Sequence, residues 1–311
     1  KMSRGELDRL TRRYAYEILP VIGPDSDVPA PDVGTSEREM GIIFDTYKMF
    51  NPQTPYASAV VTGKPLNLGG SKGRKEATAQ GGAYVLEEAV KQRHIERLSS
   101  LKEAAVVVQG YGNVGYNIAN ILHEDYGCRI VGICDSKGGI YTQDGLNPKE
   151  VMAYKNASPE QSVVGFDGLQ HLTQEKLLTS PCDILVPAAK ETQILGNIAK
   201  DMEAEVILEL ANGPTTNFAD EILNDKKVFV LPDILANAGG VTVSYFEWLQ
   251  NKAGESWELS QVKEKLQRKM ATAYNNIVET AKNYNLNMRS AAFVFAISKA
   301  IDVVHERGIF P

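Results

Sequence analysis

The sequence predicts an α/β chain, a doubly wound parallel sheet with helices on both faces, accompanied by a smaller, partial α/β domain. Three observations predict it. Short apolar runs at 104–108, 129–134, 183–186, 206–210 and 228–231 alternate with helix-like segments, the pattern of strands buried on both faces. A glycine-rich turn joins the first of these runs to a helix-like stretch. The length of 311 residues exceeds one small core and favours two domains.

The elements follow in order. Ser3 and Glu6 form an S-x-x-E capping box, and Leu7, Leu10, Tyr14 and Ile18 recur at helical spacing until Pro20, Gly23 and Pro24 stop the helix. A turn-rich stretch at 25–35 leads to a second helix at 37–50, ended near Asn51-Pro52. Residues 54–74 read as a loop rich in glycine and lysine. Residues 77–94 read as a helix with Ala83, Leu86, Ala89 and Val90 as its apolar stripe. The run at 104–108 is a buried strand, 116–126 a helix and 129–134 a second strand. Two long helices close the chain. The first, 260–283, is amphipathic through Leu266, Met270, Tyr274, Ile277 and Ala281, and the second, 290–307, is apolar on several sides.

Composition narrows the function. A hydrophobic fraction of 43% and a charged fraction of 23% are those of a globular chain. The net charge of −6 argues against a nucleic-acid partner. No apolar run is long enough to span a bilayer, and no signal-peptide pattern is present, so no membrane partner is expected. The three cysteines (Cys128, Cys134, Cys182) are scattered and odd in number, which argues against a disulfide framework and for a reducing cytoplasm. The four histidines (His94, His123, His171, His305) lack metal-ligand spacing, so no metal site is expected.

The stretch Gln109-Gly110-Tyr111-Gly112-Asn113-Val114-Gly115 holds G-x-G-x-x-G between a strand and a helix, with Asp135 ending the next strand about 20 residues on. That context is the Rossmann dinucleotide fingerprint. Gly110 permits the tight turn, Gly112 lets the backbone approach a pyrophosphate, and Gly115 lets helix and strand pack closely. The helix N-terminus offers N–H groups and positive dipole to phosphate. Asp135 can accept ribose hydroxyls, which favours NAD. Ser136 and Lys137 follow it and could receive a 2′-phosphate, so NADP stays open.

Several stretches, in order, resemble hexameric glutamate dehydrogenases within the Glu/Leu/Phe/Val dehydrogenase family. They are Asp27-Val28-Pro29-Ala30-Pro31-Asp32-Val33-Gly34-Thr35, Thr62-Gly63-Lys64-Pro65, Glu76-Ala77-Thr78, Pro187-Ala188-Ala189 and Ala211-Asn212-Gly213-Pro214-Thr215-Thr216. Asp233-Ile234-Leu235-Ala236-Asn237-Ala238-Gly239-Gly240-Val241 follows and runs on into Thr242-Val243-Ser244-Tyr245-Phe246-Glu247-Trp248. The leucine and phenylalanine branch is similar around Gly239-Gly240-Val241 but lacks the patterns at 211–216 and 245–248.

The resemblance implies reversible oxidative deamination of L-glutamate to 2-oxoglutarate and ammonia. It assigns Asp32 as the catalytic aspartate. For the cofactor it implies Thr78 and Asn237 at the nicotinamide, Asn113 and Val114 within the glycine motif, and Ala188, Ala189 and Asn212 along the dinucleotide. For the substrate it implies Ala30, Val241 and Ser244, with Ser244 at the side-chain carboxylate. It further implies a homo-oligomer, hexameric in full-length members. Two alternatives stay open: a dehydrogenase of an apolar amino acid, and a non-catalytic nucleotide-binding remnant.

The expected domains are a partial substrate domain at 1–74, with 286–311 folding back onto it, and a nucleotide domain at 75–285. In the family the catalytic lysine lies in a glycine-rich stretch upstream of a region that Lys1-Met2-Ser3-Arg4-Gly5-Glu6-Leu7 resembles. The expectation is therefore that this lysine falls outside the 311 residues. Lys1 standing before Met2 favours a piece of a longer enzyme. Lys64 and Lys72 are not expected to replace it.

Overall fold

The computed structural model describes residues 2–32 and 34–309, so expectations resting on Lys1, Val33 or residues 310–311 lie outside the described residues. By internal contacts the chain forms two units. One runs to Ala77 and includes Gly240–Leu266; the other holds Thr78–Gly239 and the chain from Gln267 onward.

In the first unit, α1 (Arg4–Ile18) and α2 (Glu37–Phe50) each begin with a capping box, Ser3 with Glu6 and Ser36 with Glu39. Each box satisfies N–H groups that a helix end leaves open. Their apolar faces bury Ala15, Met40, Ile43 and Tyr47 with Ile22, Val60 and Val61 as a small core. Residues 51–76 form loops and short 3-10 turns, as the glycine content led one to expect. The helix α10 (Gly239–Ala253) contributes most of its length to this unit.

In the second unit, α3 (Ala77–Lys91) precedes a sheet of β1 (Ala105–Gln109), β2 (Arg129–Asp135), β3 (Gly138–Tyr141), β4 (Ile184–Pro187), β5 (Val206–Leu208) and β6 (Phe229–Leu231). Among the described residues the order is β3-β2-β1-β4-β5-β6. Pairing is parallel from β2 through β6. Val106, Val107, Val108, Leu185 and Ile207 are fully buried, as continuous apolar runs in a two-sided sheet require. The helices α4 (Asn113–Glu124), α5 (Pro148–Ala157), α6 (Gln174–Leu178), α7 (Gly196–Asp201) and α8 (Asn217–Asp225) connect the strands, and α9 (Asp233–Ala236) follows β6. The chain leaves β1 toward β2 and returns to β4 on the other side of β1. That reversal opens a crevice at the carboxyl ends of β1 and β4, where open α/β sheets bind ligands.

Two features differ from the expectation. The sheet is not wholly parallel, because β3 returns antiparallel against β2, with Asp135 opposite Gly138. Ser136 and Lys137 are the two-residue turn of that hairpin. The Lys137 amide donates to Asp135 Oδ1 at 2.9 Å, an aspartate-closed turn, and Gly138 takes the positive φ of 150°. The domain division also differs. The contacts group 240–266 with the N-terminal unit. α11 (Leu259–Tyr284) contributes to both units, whereas α12 (Met288–Arg307) groups with the nucleotide-type unit. The first turn of α12 is pinned there by Arg289, which binds Glu209 and Asp220.

Candidate functional site

The glycine turn lies at the switch point. Gly110 has φ +89°, and a Cβ on it would meet the Ala188 carbonyl oxygen at 2.7 Å. A Cβ on Gly115 would stand 1.7 Å from the Gly110 carbonyl oxygen. Both glycines are therefore demanded by the protein's own packing. Gly112 is different: it is exposed, and a Cβ on it would meet nothing within 4 Å. Gly112 is also the N-cap of α4 and offers no side-chain cap bond. The N-terminus of a twelve-residue helix thus begins beside an unobstructed backbone at Gly112, the kind of cradle suited to a pyrophosphate.

The neighbouring edges are fixed by backbone bonds. The Gly110 amide donates to Cys134 O at 2.9 Å and the Ala188 amide to Gln109 O at 2.7 Å, so Ala188 and Ala189 border the glycine turn. Asn113, Ala189, Asn212 and Ser136 are exposed, and Val114, Thr78 and Asn237 half-buried. Gly81 and Gly82 let α3 approach the segment carrying Asn237: a Cβ on Gly81 would lie 2.7 Å from Gly239 Cα, and one on Gly82 2.5 Å from Leu210 Cδ2. Thr78 sits one turn earlier on the same helix. Asn237 Nδ2 donates to Asn212 Oδ1 at 2.6 Å.

Asp135 sits at the end of β2 as the motif requires, but its carboxylate is turned inward and only 7% of the residue is exposed. Oδ1 accepts the Lys137 amide at 2.9 Å and the Ser162 hydroxyl at 3.1 Å; Oδ2 accepts the Val163 amide at 2.9 Å. Lys155 Nζ lies 3.3 Å from Oδ2 and donates to Tyr111 O at 3.0 Å, tying the glycine turn to β2. Burial works to raise the Asp135 pKa, but the amides and Lys155 outweigh it and hold it below the ordinary aspartate value. Ser136 and Lys137 remain exposed.

In the other unit, α10 carries Val241, Ser244 and Glu247. Val241 is 69% exposed, Ser244 7%. Arg74 Nε donates to Ser244 Oγ at 2.9 Å. Burial lowers the Arg74 pKa from the usual arginine value, with the Glu247 carboxylate opposing, yet the guanidinium remains charged in water's pH range. Glu247 is a hub. Its carboxylate, fully buried, accepts the Gly63 amide at 3.0 Å, the Lys64 amide at 3.2 Å, the Ser71 amide at 3.3 Å and Lys64 Nζ at 2.6 Å. The loop so held supports the next one. Thr62 N donates to Pro29 O at 2.9 Å, and Gly63 is abutted by Pro31, whose Cδ would lie 2.5 Å from a Cβ there. Asp32 follows directly, exposed like Ala30, and Thr35 clamps its backbone: Asp32 N donates to Thr35 Oγ1 at 2.8 Å and Thr35 Oγ1 to Asp32 O at 2.9 Å.

Lys64 is sealed beside Glu247, and burial lowers its pKa despite that partner; it cannot reach a substrate. Lys72 pairs with Glu258 at 2.7 Å. The sequence reading missed Arg74, Glu247 and Lys155. Their partners lie far along the chain, Arg74 and Ser244 being 170 residues apart, and no local pattern links them. Among the described residues no helix is long and apolar enough to cross a membrane, and no group of three or more His, Cys, Asp or Glu side chains could hold a metal.

Comparison with known proteins agrees in sequence and fold. Residues 69–308 match the Glutamate/Leucine/Phenylalanine/Valine dehydrogenase model and residues 1–49 the Glu/Leu/Phe/Val dehydrogenase dimerisation domain. The chain is 44% identical over its whole length to a glutamate dehydrogenase of Thermotoga maritima, covering 73% of that protein. It is 42% identical to a catabolic NAD-specific glutamate dehydrogenase of Bacillus subtilis over 99% of this chain and 70% of the relative. It is also 42% identical to an NADP-specific glutamate dehydrogenase of Halobacterium salinarum over 99% of this chain and 72% of that one. In three dimensions it resembles the hetero-hexameric glutamate dehydrogenase of Thermus thermophilus in its leucine-bound form, with a TM-score of 0.90 at 35% identity, covering all of this chain and 71% of that one. A glycine cradle at the switch point, an Arg74–Ser244 bond that joins the loop before α3 to α10 and matches running along nearly the whole chain lead to one assignment: the chain belongs to the Glu/Leu/Phe/Val dehydrogenase family.

Proposed function

We propose that this chain serves the NAD(P)-dependent oxidative deamination of L-glutamate to 2-oxoglutarate and ammonia. The observation that carries glutamate over an apolar amino acid is the Arg74–Ser244 pair. A largely buried guanidinium bonded to a buried hydroxyl wants an anionic partner, and the γ-carboxylate of glutamate supplies one. Leucine, phenylalanine or valine would offer that guanidinium no carboxylate of their own side chain to bond. Val241 and Ala30 wall the same substrate region.

On the nucleotide side, Gly110, Gly112, Asn113, Val114 and Gly115 hold the pyrophosphate on the α4 N-terminus, with Ala188, Ala189 and Asn212 along the dinucleotide. Thr78 and Asn237 orient the nicotinamide ring. When bound, the nicotinamide accepts hydride from the substrate Cα. Asp32 takes the proton that the substrate amino group must lose, from a backbone position fixed by Thr35. Asp135 anchors the hairpin through its carboxylate, so ribose recognition falls to the exposed turn at Ser136. NAD is the preferred cofactor, and Lys137 beside Ser136 lets the same turn accept NADP. The chain works as a homo-oligomer in the cytoplasm, a compartment supported by its three buried, unpaired cysteines.

Ser244→Ala tests the reading. In the protein that carries this chain it should raise KM for glutamate by about ten- to a hundredfold, the worth of a hydrogen bond serving a charged group, with nucleotide affinity unchanged. An unchanged KM for glutamate would remove the basis for that substrate.

A further inference from the structure

From the hydrogen-bond pattern in the nucleotide-type unit we infer that Arg289, on α12, is the positioning residue that sets the loop 211–216 and Asn237 for the dinucleotide. The inference rests on the nucleotide reading above and deepens it.

Arg289 grips Glu209 with both arms, Nη1 to Oε2 at 2.8 Å and Nη2 to Oε1 at 2.8 Å. It also reaches Asp220 Oδ1 at 3.0 Å and lies 3.5 Å from Asp233 Oδ1. Each of the two inner carboxylates then holds a different part of the loop. Glu209, whose side chain is fully buried, accepts Thr215 Oγ1 at 2.5 Å and the Asp233 amide at 3.0 Å. Asp233 Oδ2 accepts the Gly213 amide at 2.8 Å, where the backbone takes the left-handed φ of 52°. Asp233 O accepts the Asn237 amide at 3.0 Å, and Asn237 in turn bonds Asn212.

One guanidinium therefore balances three carboxylates, and two of these fix the flanks of Asn212 and the turn that ends at Asn237. Without it, the fully buried Glu209 loses its cation while the half-buried Asp233, bonded to it through its amide, stands by as a second like charge, and the loop they hold loses its register. Asp220 is the exception: its carboxylate bonds Arg289 and not the loop, which it meets through its backbone amide on Thr216 O, a bond that Asp220→Asn leaves in place. Burial acts to lower the guanidinium pKa, and Glu209 and Asp220 reverse that, so the charge is present at every working pH. The geometry needs arginine: a lysine delivers one point charge and cannot span both Glu209 oxygens while reaching Asp233.

The test compares Arg289→Lys with Asp220→Asn in the intact protein. Two readouts are used: NADH affinity by fluorescence titration, and amide hydrogen exchange of residues 211–216 in the absence of nucleotide. Arg289→Lys should weaken NADH binding by about tenfold and speed exchange at Gly213. Asp220→Asn should lower the thermal midpoint too, yet leave both readouts within about twofold of wild type. Exchange and affinity unchanged in Arg289→Lys, or changed equally in Asp220→Asn, would overturn the positioning role. Wild-type protein that protects the loop but binds no NADH would overturn the nucleotide reading, and with it the purpose assigned to Arg289.

Discussion

Gly112 and Gly115, three positions apart, do different work, and substitution separates the two. Gly115→Ala drives a methyl into the Gly110 carbonyl, 1.7 Å away, a clash with backbone that cannot swing aside. It should cost about 3 kcal/mol or more of stability by overpacking. Gly112→Ala has room and an ordinary φ of −92°, so it should cost less than about 1 kcal/mol, the worth of a changed N-cap. It should nevertheless lower nucleotide affinity strongly, because its methyl fills the space left for pyrophosphate. Urea melts and NADH titrations of the two variants check this; equal stability losses would refute the division. The glycine motif was legible because its spacing is local and its physics belongs to three residues. The inward turn of Asp135 was not, since Ser162 and Val163 stand 27 and 28 residues further on.

The same limit governs the elements. Helix α1 was readable from its capping box and apolar spacing, α11 from its apolar stripe and α12 from its apolar content, whereas β3 escaped because two glycines and a two-residue turn carry no apolar period. What holds loops onto helices is long-range and polar, and it makes two predictions. Lys64→Met leaves Glu247 charged and buried without its cation, which should cost about 3–5 kcal/mol. Both tryptophans, Trp248 and Trp257, lie in that unit, so the loss should appear in urea melts followed by tryptophan fluorescence; a change below about 1 kcal/mol would mean the pair is not structural. The second concerns His94, just past α3, whose Nδ1 lies 2.6 Å from Tyr274 Oη on α11. Burial first, and Lys282 second, lower its pKa from the ordinary 6.5. The unfolded chain then binds more protons in the window below 6.5, so stability is present above it and declines as pH falls through it. His94→Gln should flatten that decline in melts followed by circular dichroism, and an unchanged slope would exclude His94 as its source.

At the scale of the whole molecule, the residues proposed for the substrate and those proposed for the nucleotide divide between two units, and each unit is assembled from distant parts of the chain. That interleaving explains why a linear division at 74 and 285 missed the membership of α10 and α12. Periodicity tells which face of a helix is buried, not which unit buries it. The family-wide order of motifs was readable end to end, but the discriminating Arg74–Ser244 contact needed coordinates. The most direct test of the glutamate reading is a comparison of initial rates for L-glutamate, L-leucine, L-phenylalanine and L-valine with NAD and with NADP. It should be made on the natural protein that contains these residues. Glutamate should be preferred in kcat/KM by at least about a hundredfold, the discrimination expected of a buried polar site left unpaired by apolar substrates. Preference for an apolar amino acid, or no amino-acid-dependent reduction of either nucleotide, would contradict it.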